Sequence, residues 1–279
     1  MASTFFRNIE GFMISFRLAS LAILFASLPT LAAAQDAAGE LSAVDLGGTV
    51  LLRQSYVGSD QTELNVLPYL GLDNVYGFDL LGPVLKYELF DLGTGRGIGK
   101  WSMRAGPRAT FDFGRDSDDS PTLEGLEDID SSLLLGGFVR TSFGPVGLDF
   151  SVGQDVIGGH NGLLADISVG TRYPGNGWYL QPALKLSWAN ENYTQETYGI
   201  TADQALNSSL VNFETSSGFH QASATILGGL EITKNWNFTA LFSYRETLGD
   251  FRDSPIITAD DGSSSGIFTS ISISRRFVL

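Results

Sequence analysis

The stretch Gly266-Ile-Phe-Thr-Ser-Ile-Ser-Ile-Ser-Arg-Arg-Phe-Val-Leu279 ends the chain on a strand with two unlike faces. Successive side chains of an extended strand point to opposite faces. One face is mostly apolar and holds Ile267, Thr269, Ile271, Ile273, Phe277 and Leu279. The other face is polar and holds Ser270, Ser272, Ser274 and Arg276. Three residues near the strand ends break the pattern: Phe268, Arg275 and Val278. The alternation predicts a transmembrane strand of a closed antiparallel β-barrel, with lipid outside and water inside.

Similar strands recur along the chain, separated alternately by short and long connections. The short connections have turn composition and lie at Asp73-Asn74, Gly144-Pro145, Pro174–Gly177 and Thr233–Asn235. The long, polar ones are residues 114–130, 190–217 and 249–264. We predict about twelve strands, near 44–57, 62–72, 75–81, 84–91, 99–113, 131–143, 146–155, 163–173, 177–189, 218–231, 236–247 and 265–278. Only Gly82-Pro83 divides the third from the fourth, and a single kinked strand or a loop there gives about ten.

The N-terminus has the composition of a cleaved secretory signal. Arg17 precedes the apolar run 18–28, and Ala32-Ala33-Ala34 fits a signal-peptidase site. We predict a signal peptide over residues 1–34 and the barrel over residues 35–279. Translation could start at Met1 or at Met13, because residues 13–34 already form a complete signal. Export and a barrel together predict the outer membrane of a Gram-negative bacterium.

Composition excludes several classes of protein. Residues 1–34 contain two arginines and one glutamate, so the remainder has 15 basic and 30 acidic residues and a net charge of −15. Nucleic acid is therefore excluded as a partner, because binding to phosphates rests on a basic surface. Cysteine is absent, which excludes disulfides and thiolate metal sites. The sequence predicts no cofactor.

Charged residues of both signs fall on the face opposite the apolar one and should line the lumen. They are Arg104, Arg108, Asp112, Arg140, Asp149, Asp155, Asp166, Arg172, Lys185, Arg245 and Arg276. Such charges either pair with one another or line a permeation path. A barrel of about twelve strands is narrower than the wide aqueous porins, and an unpaired buried charge is costly. We therefore favour a narrow or plugged lumen.

Short motifs spread over most of the mature chain give a family resemblance. They are Gly106-Pro107-Arg108, Phe113-Gly114-Arg115-Asp116, Leu126 with Asp128-Ile129-Asp130, Gly136-Gly137-Phe138, Phe143-Gly144-Pro145, Gly159-His160-Asn161-Gly162, Tyr198-Gly199-Ile200 with Gln204-Ala205, and Asp253-Ser254-Pro255. In this order and spacing they resemble the MipA/OmpV family of outer-membrane barrels. Leu279 departs from the aromatic residue that usually ends such barrels.

The resemblance implies a periplasm-facing scaffold. In the name-giving member it joins a lytic transglycosylase to a penicillin-binding protein in peptidoglycan synthesis. The family also includes members described as porin-like or adhesive, so the fold is better defined than the function. The expected partners are outer-membrane lipid and lipopolysaccharide, with the two peptidoglycan enzymes implied by the resemblance. The alternative is a narrow small-solute channel or ligand-binding barrel.

Three features were weighed as local sites. His160 lies in a Gly-rich loop without the partners of a catalytic triad or a metal site, so we assign it a structural role and predict no enzyme. The acidic loop contains Asp116, Asp118 and Asp119, weak candidates for calcium or magnesium, although a solvated loop is favoured. Residues 202–210 could form a helix capped by Thr201. An ordinary outer loop is favoured there because so short a helix is unstable alone.

Overall fold

A computed structural model describes residues 42–95 and 99–279. The signal peptide predicted over residues 1–34 lies outside the described residues. The wall is built from fourteen β-strands: β1 (Ala43–Gln54), β2 (Thr62–Val75), β3 (Phe78–Leu81), β4 (Val84–Tyr87), β5 (Phe90–Gly93), β6 (Trp101–Asp112), β7 (Ser132–Phe143), β8 (Val146–Asp155), β9 (Leu163–Thr171), β10 (Tyr173–Pro174), β11 (Trp178–Ala189), β12 (Gly218–Thr233), β13 (Trp236–Thr247) and β14 (Ser265–Val278).

All strand pairs are antiparallel, and the sheet closes on itself. Pairing runs in order from β11 through β14 to β1, onward through β2, β3 and β4 to β6, and then to β9, which returns to β11. β4 and β5 pair successively with the same side of β6. β9 and β10 likewise share one side of β11. Twelve strand positions therefore form the wall, which confirms the predicted closed barrel. Closure pairs most of the strand edges, which lipid could not satisfy, and leaves one side of the outer half of β2 without a ladder partner.

Prolines within the wall mark the places where a neighbouring strand is interrupted. Pro107 lies between the segment of β6 that pairs with β4 and the segment that pairs with β5. Pro182 lies between the segments of β11 that pair with β9 and β10. Pro68 lies on β2 beyond its ladder with β3. Proline cannot donate a ladder hydrogen bond, so it is tolerated where the partner is missing.

The barrel has a turn end and a loop end. Short turns and both described termini meet at the turn end, where the Leu279 N–H donates to the Ser42 carbonyl at 2.9 Å. The loop end carries three helices: α1 (Glu191–Tyr198), α2 (Ala202–Asn207) and α3 (Pro255–Thr258). No helix among the described residues is long and apolar enough to cross a membrane. In bacterial barrels the short turns face the periplasm, which assigns the loop end to the cell exterior.

The C-terminal strand has the facing that its alternation predicts. Ile271 and Ile273 are 45% and 48% exposed on the lipid side, whereas Ser272 and Ser274 are buried inside. Ser272 donates to the Thr49 hydroxyl on β1 at 2.8 Å. Phe268 is different, because it breaks the alternation in order to join an apolar cluster inside the barrel.

Two local predictions are wrong. Asp73-Asn74 forms an irregularity within β2, where the register with β3 shifts, and the turn follows at Tyr76-Gly77. Asn74 and Tyr76 both adopt positive φ, and asparagine suits such a bulge as well as a turn. Residues 202–207 are helical rather than an ordinary loop, because Thr201 and Gln204 form a reciprocal capping box.

Gly82-Pro83 is a tight turn between two separate strands, so the count of ten is excluded.

Candidate functional site

Asp149 is the centre of a charged network inside the barrel. Its carboxylate accepts hydrogen bonds from Arg140 Nε at 3.0 Å and Nη2 at 2.8 Å, and lies 3.5 Å from Lys86 Nζ. All three side chains are buried. Lys86 lies on β4, Arg140 on β7 and Asp149 on β8, so the contact ties three wall strands together.

Asp166, on β9, holds a second group of charges. It lies 3.6 Å from Lys185 Nζ and 3.9 Å from Arg108 Nη1, and it accepts a 2.7 Å hydrogen bond from Ser187. Arg104 pairs with Glu88 nearby. Together the two groups hold five cations and three carboxylates: Lys86, Arg104, Arg108, Arg140, Lys185, Glu88, Asp149 and Asp166. We call this set the ion-pair network.

The remaining predicted lumen residues lie outside that network. Arg276 pairs with Asp45 at 2.8 Å and Asp73 at 3.2 Å near the turn end. Arg172 donates to Gln181 at 3.2 Å, and its guanidinium lies 3.8 Å from the centre of the Tyr179 ring. Three further residues lie where their strands reach the loop end. Arg245 donates to Gln54, and Asp112 accepts from the Gly114 N–H. Asp155 accepts backbone N–H groups of the loop that follows β8.

The opposite side of the interior is apolar. Leu51, Leu227, Leu241 and Phe268 form a buried cluster, with Leu67, Phe113 and Tyr179 packed against it. We call these seven residues the interior apolar cluster. A water-filled lumen would leave inward side chains exposed, yet charged and apolar residues alike are buried here. The interior is therefore packed along these strands rather than open.

The motif Gly159-His160-Asn161-Gly162 is a structural loop built around Asp155. The Asp155 carboxylate accepts from the backbone N–H groups of His160 at 3.0 Å and Asn161 at 2.9 Å. His160 Nδ1 accepts the Gly162 N–H at 2.8 Å. Burial lowers the pKa of His160. A neutral imidazole whose Nδ1 is already engaged by the backbone suits a structural role.

The glycines of this motif allow close packing. A Cβ at Gly159 would lie 2.3 Å from Ser132 Oγ, and one at Gly162 would lie 2.6 Å from Tyr193 Cβ. Any side chain at either position would displace the loop from β7 or α1.

Ser254 and Pro255 join two of the loops. Ser254 is fully buried and donates through Oγ to the Tyr198 carbonyl at 2.6 Å, while Pro255 opens α3. The Tyr198 hydroxyl lies 3.0 Å from His220 Nδ1. A row of ring contacts continues this packing, at centroid distances of 5.0 to 5.8 Å, through His160, Tyr193, His220, Tyr198 and Phe251.

The loops thus form one layer over the mouth, which we call the loop cap. A second buried cluster lies within it and contains Tyr56, Leu123, Leu126, Ile200 and Ile256. Arg115 Nη1 donates to the Thr197 carbonyl at 3.3 Å and links the acidic loop to α1. Burial lowers the pKa of Arg115 to about 10, so the group remains a cation at neutral pH.

Two of the three acidic residues weighed as weak metal ligands hydrogen-bond within their own loop. Asp116 accepts the Asp118 N–H at 3.0 Å, and Asp119 accepts the Asp116 N–H at 3.4 Å, which makes a capping box. Within residues 42–95 and 99–279, no group of three acidic or histidine side chains is arranged to hold a metal ion. The three carboxylates do not converge on a common point.

Several interior residues were missed from the sequence. Lys86 and Glu88 lie on the short segment around β4, where too few residues reveal an alternation. Tyr193, Tyr198 and Phe251 lie in connections that were treated as irregular. The only signal in the sequence is the type of these residues, since large aromatic side chains are on average well buried.

The closed wall, the lipid-facing apolar side chains and the polar lumen define the class: this is an outer-membrane β-barrel of a Gram-negative bacterium. The sequence matches the family described as MltA-interacting protein MipA over residues 46–277. The chain belongs to this family, which confirms the resemblance drawn from its motifs. No curated protein matches the chain in a sequence comparison.

Solved structures of outer-membrane proteins resemble this chain weakly and at low identity. OmpT of Vibrio cholerae has a TM-score of 0.38 and 10% identity, over 85% of this chain and 97% of that chain. The toluene transporter TbuX of Ralstonia pickettii has a TM-score of 0.36 and 11% identity, over 86% and 90%. The outer-membrane protease OmpT of Escherichia coli has a TM-score of 0.23 and 9% identity, over 88% and 100%. These likenesses concern the fold alone.

Proposed function

We propose that this protein is a non-conducting, non-enzymatic barrel that serves as a scaffold for peptidoglycan synthesis at the outer membrane. The observation that carries the proposal is the packed interior, in which the ion-pair network fills the charged side of the lumen and the loop cap covers its mouth. A barrel without a free lumen acts through its exposed ends.

The family description supports the choice of partner. MipA is described as interacting with MltA, and by analogy this chain binds a lytic transglycosylase and, through the same scaffold, a penicillin-binding protein. Lipid and lipopolysaccharide surround the wall.

Catalysis has little support from the described side chains. His160 Nδ1 accepts a backbone N–H, and His220 Nδ1 contacts the buried Tyr198 hydroxyl. Neither imidazole hydrogen-bonds to a serine that it could activate as a general base, with a carboxylate to orient it, which is the arrangement of a serine nucleophile.

A small-solute channel is the competing function. The observation in its favour is the excess of cations in the ion-pair network, which would suit an anion. Burial of those cations argues against it, because a permeating ion needs a hydrated path.

Partner binding can be tested by placing a photo-crosslinking amino acid at either end. Tyr76 is 88% exposed at the turn end, and Leu206 is 85% exposed on the loop cap, so the two positions are matched in accessibility. Irradiated cells should yield adducts with a lytic transglycosylase from position 76 and none from position 206. Adducts with lipopolysaccharide alone, or equal capture of the enzyme from both positions, would contradict the scaffold.

A further inference from the structure

The barrel wall is interrupted beside the outer half of β2. β2 pairs with β1 from residue 62 to residue 73. On its other side it pairs with β3 only at Gly71, Leu72 and Val75, because β3 turns back after Leu81. Among the described residues, the edge at 62–70 therefore has no ladder partner on that side.

Side-chain exposure supports the interruption. Leu64 and Val66 point outward from this edge and are 68% and 71% exposed. Outward residues on strands paired on both sides range from Val139 (39%) to Leu184 (60%), and Leu70 at the inner end of the edge lies within that range at 46%. Pro68 lies on the same edge and has no N–H to leave unpaired.

The interior apolar cluster lies directly behind this edge. Leu51 is in register with Asn65 of β2, which places the cluster at the level of the interruption. Leu67 and Phe113 pack on its near side. Asn65 Nδ2 is buried there, with no acceptor among the described residues.

We propose that the interruption is a lateral opening through which an acyl chain of a membrane lipid reaches the interior apolar cluster. The outward rim and the interior behind it are both apolar, and acyl chains are the apolar molecules that surround the wall.

Pairing with an added protein strand is less well matched, because Pro68 removes one donor from the edge.

The experiment uses the mature barrel in bilayers containing a phospholipid with a photoactivatable group in its acyl chain. Phe113 and Phe138 form a matched pair: both point inward, but Phe113 lies behind the opening and Phe138 lies on β7, which is paired on both sides. Irradiation and peptide mapping should place adducts on Leu67 and Phe113, in addition to outward residues, and none on Phe138.

Leu67→Asp provides the variant, because a carboxylate on the inner side of this edge disfavours an acyl chain. Labelling of Phe113 should fall roughly tenfold, the change expected when one unfavourable polar contact replaces an apolar one. Labelling of outward Ile271 should stay constant and report that the variant is folded. Labelling confined to outward residues in the wild type would overturn the proposal, as would equal labelling of Phe113 and Phe138.

Discussion

At the residue scale, a shared carboxylate makes the interior sensitive to single substitutions. Asp149 serves both Arg140 and Lys86, so its loss removes one negative partner from each of two buried cations. Asp166 plays the same part for Arg108 and Lys185. Alternation predicts that Asp149 and Asp166 point inward, but it cannot reveal which cations on other strands they contact.

Asp149→Asn should lower the free energy of unfolding by about 3–5 kcal/mol, because breaking a buried pair leaves uncompensated charge. Urea unfolding in lipid vesicles measures the change. The matched control is Arg252→Met, which breaks the exposed pair with Glu246 and should cost under about 1 kcal/mol. Equal effects of the two substitutions would mean that the interior charges are solvated.

A second residue-scale prediction concerns pH. Burial and the nearby Glu63 raise the pKa of Asp119 to about 6. A carboxyl with a raised pKa in the folded state contributes stability at low pH, and this stability is lost as the pH rises through about 6. Hydrogen exchange in residues 114–130 should therefore slow as the pH falls from about 7 to about 4, beyond the intrinsic pH effect. Asp119→Asn should abolish the excess slowing. If the slowing persists in this variant, another group causes it.

At the element scale, the sequence predicts best those strands in which apolar and polar residues alternate over many positions. In β14, Ile271 and Ser272 have the exposure that their positions indicate, because lipid and packed interior impose opposite chemistry on neighbouring residues. The bulge at Asp73-Asn74 was mistaken for a turn because both structures favour the same residues. α1 was missed because its burial depends on tertiary contacts with β9 and α3, and propensity is a weak guide for short helices.

Ile271→Arg should destabilise the folded barrel by about 2–4 kcal/mol, since a charge on the lipid face near mid-strand must leave water. Ile271→Leu keeps the apolar face and is the matched control. Folding equilibria in vesicles measure both. Ser272→Arg should also be costly, because Ser272 is buried against Thr49. Tolerance of Ile271→Arg would place this face inside.

At the scale of the whole molecule, charge is strongly segregated. The loops at 114–130, 190–217 and 249–264 together carry 15 acidic residues and only two arginines. The ion-pair network has the opposite balance, with five of the 15 basic residues of residues 35–279 and only three carboxylates. An acidic outer surface suits a leaflet of phosphorylated lipid only through bridging divalent cations. The loop cap thus accounts for most of the negative charge that composition reveals.

The long loops should face the cell exterior and the short turns the periplasm. Epitope tags inserted in the acidic loop and in the 174–177 turn test this orientation on intact cells. Antibody should label only the loop tag, and both tags after the outer membrane is permeabilised. Labelling of the turn tag alone on intact cells would invert the topology.

The most direct test of a closed barrel is single-channel recording of the purified protein in planar bilayers. The wild type should give no stable stepwise currents, because buried ion pairs and the loop cap leave no hydrated path. Arg108→Ser should then lower stability, since Asp166 loses a partner. The contradicting result is large, stable currents from the wild type whose ion selectivity shifts in Arg108→Ser while its stability is unchanged, as expected of a water-filled channel.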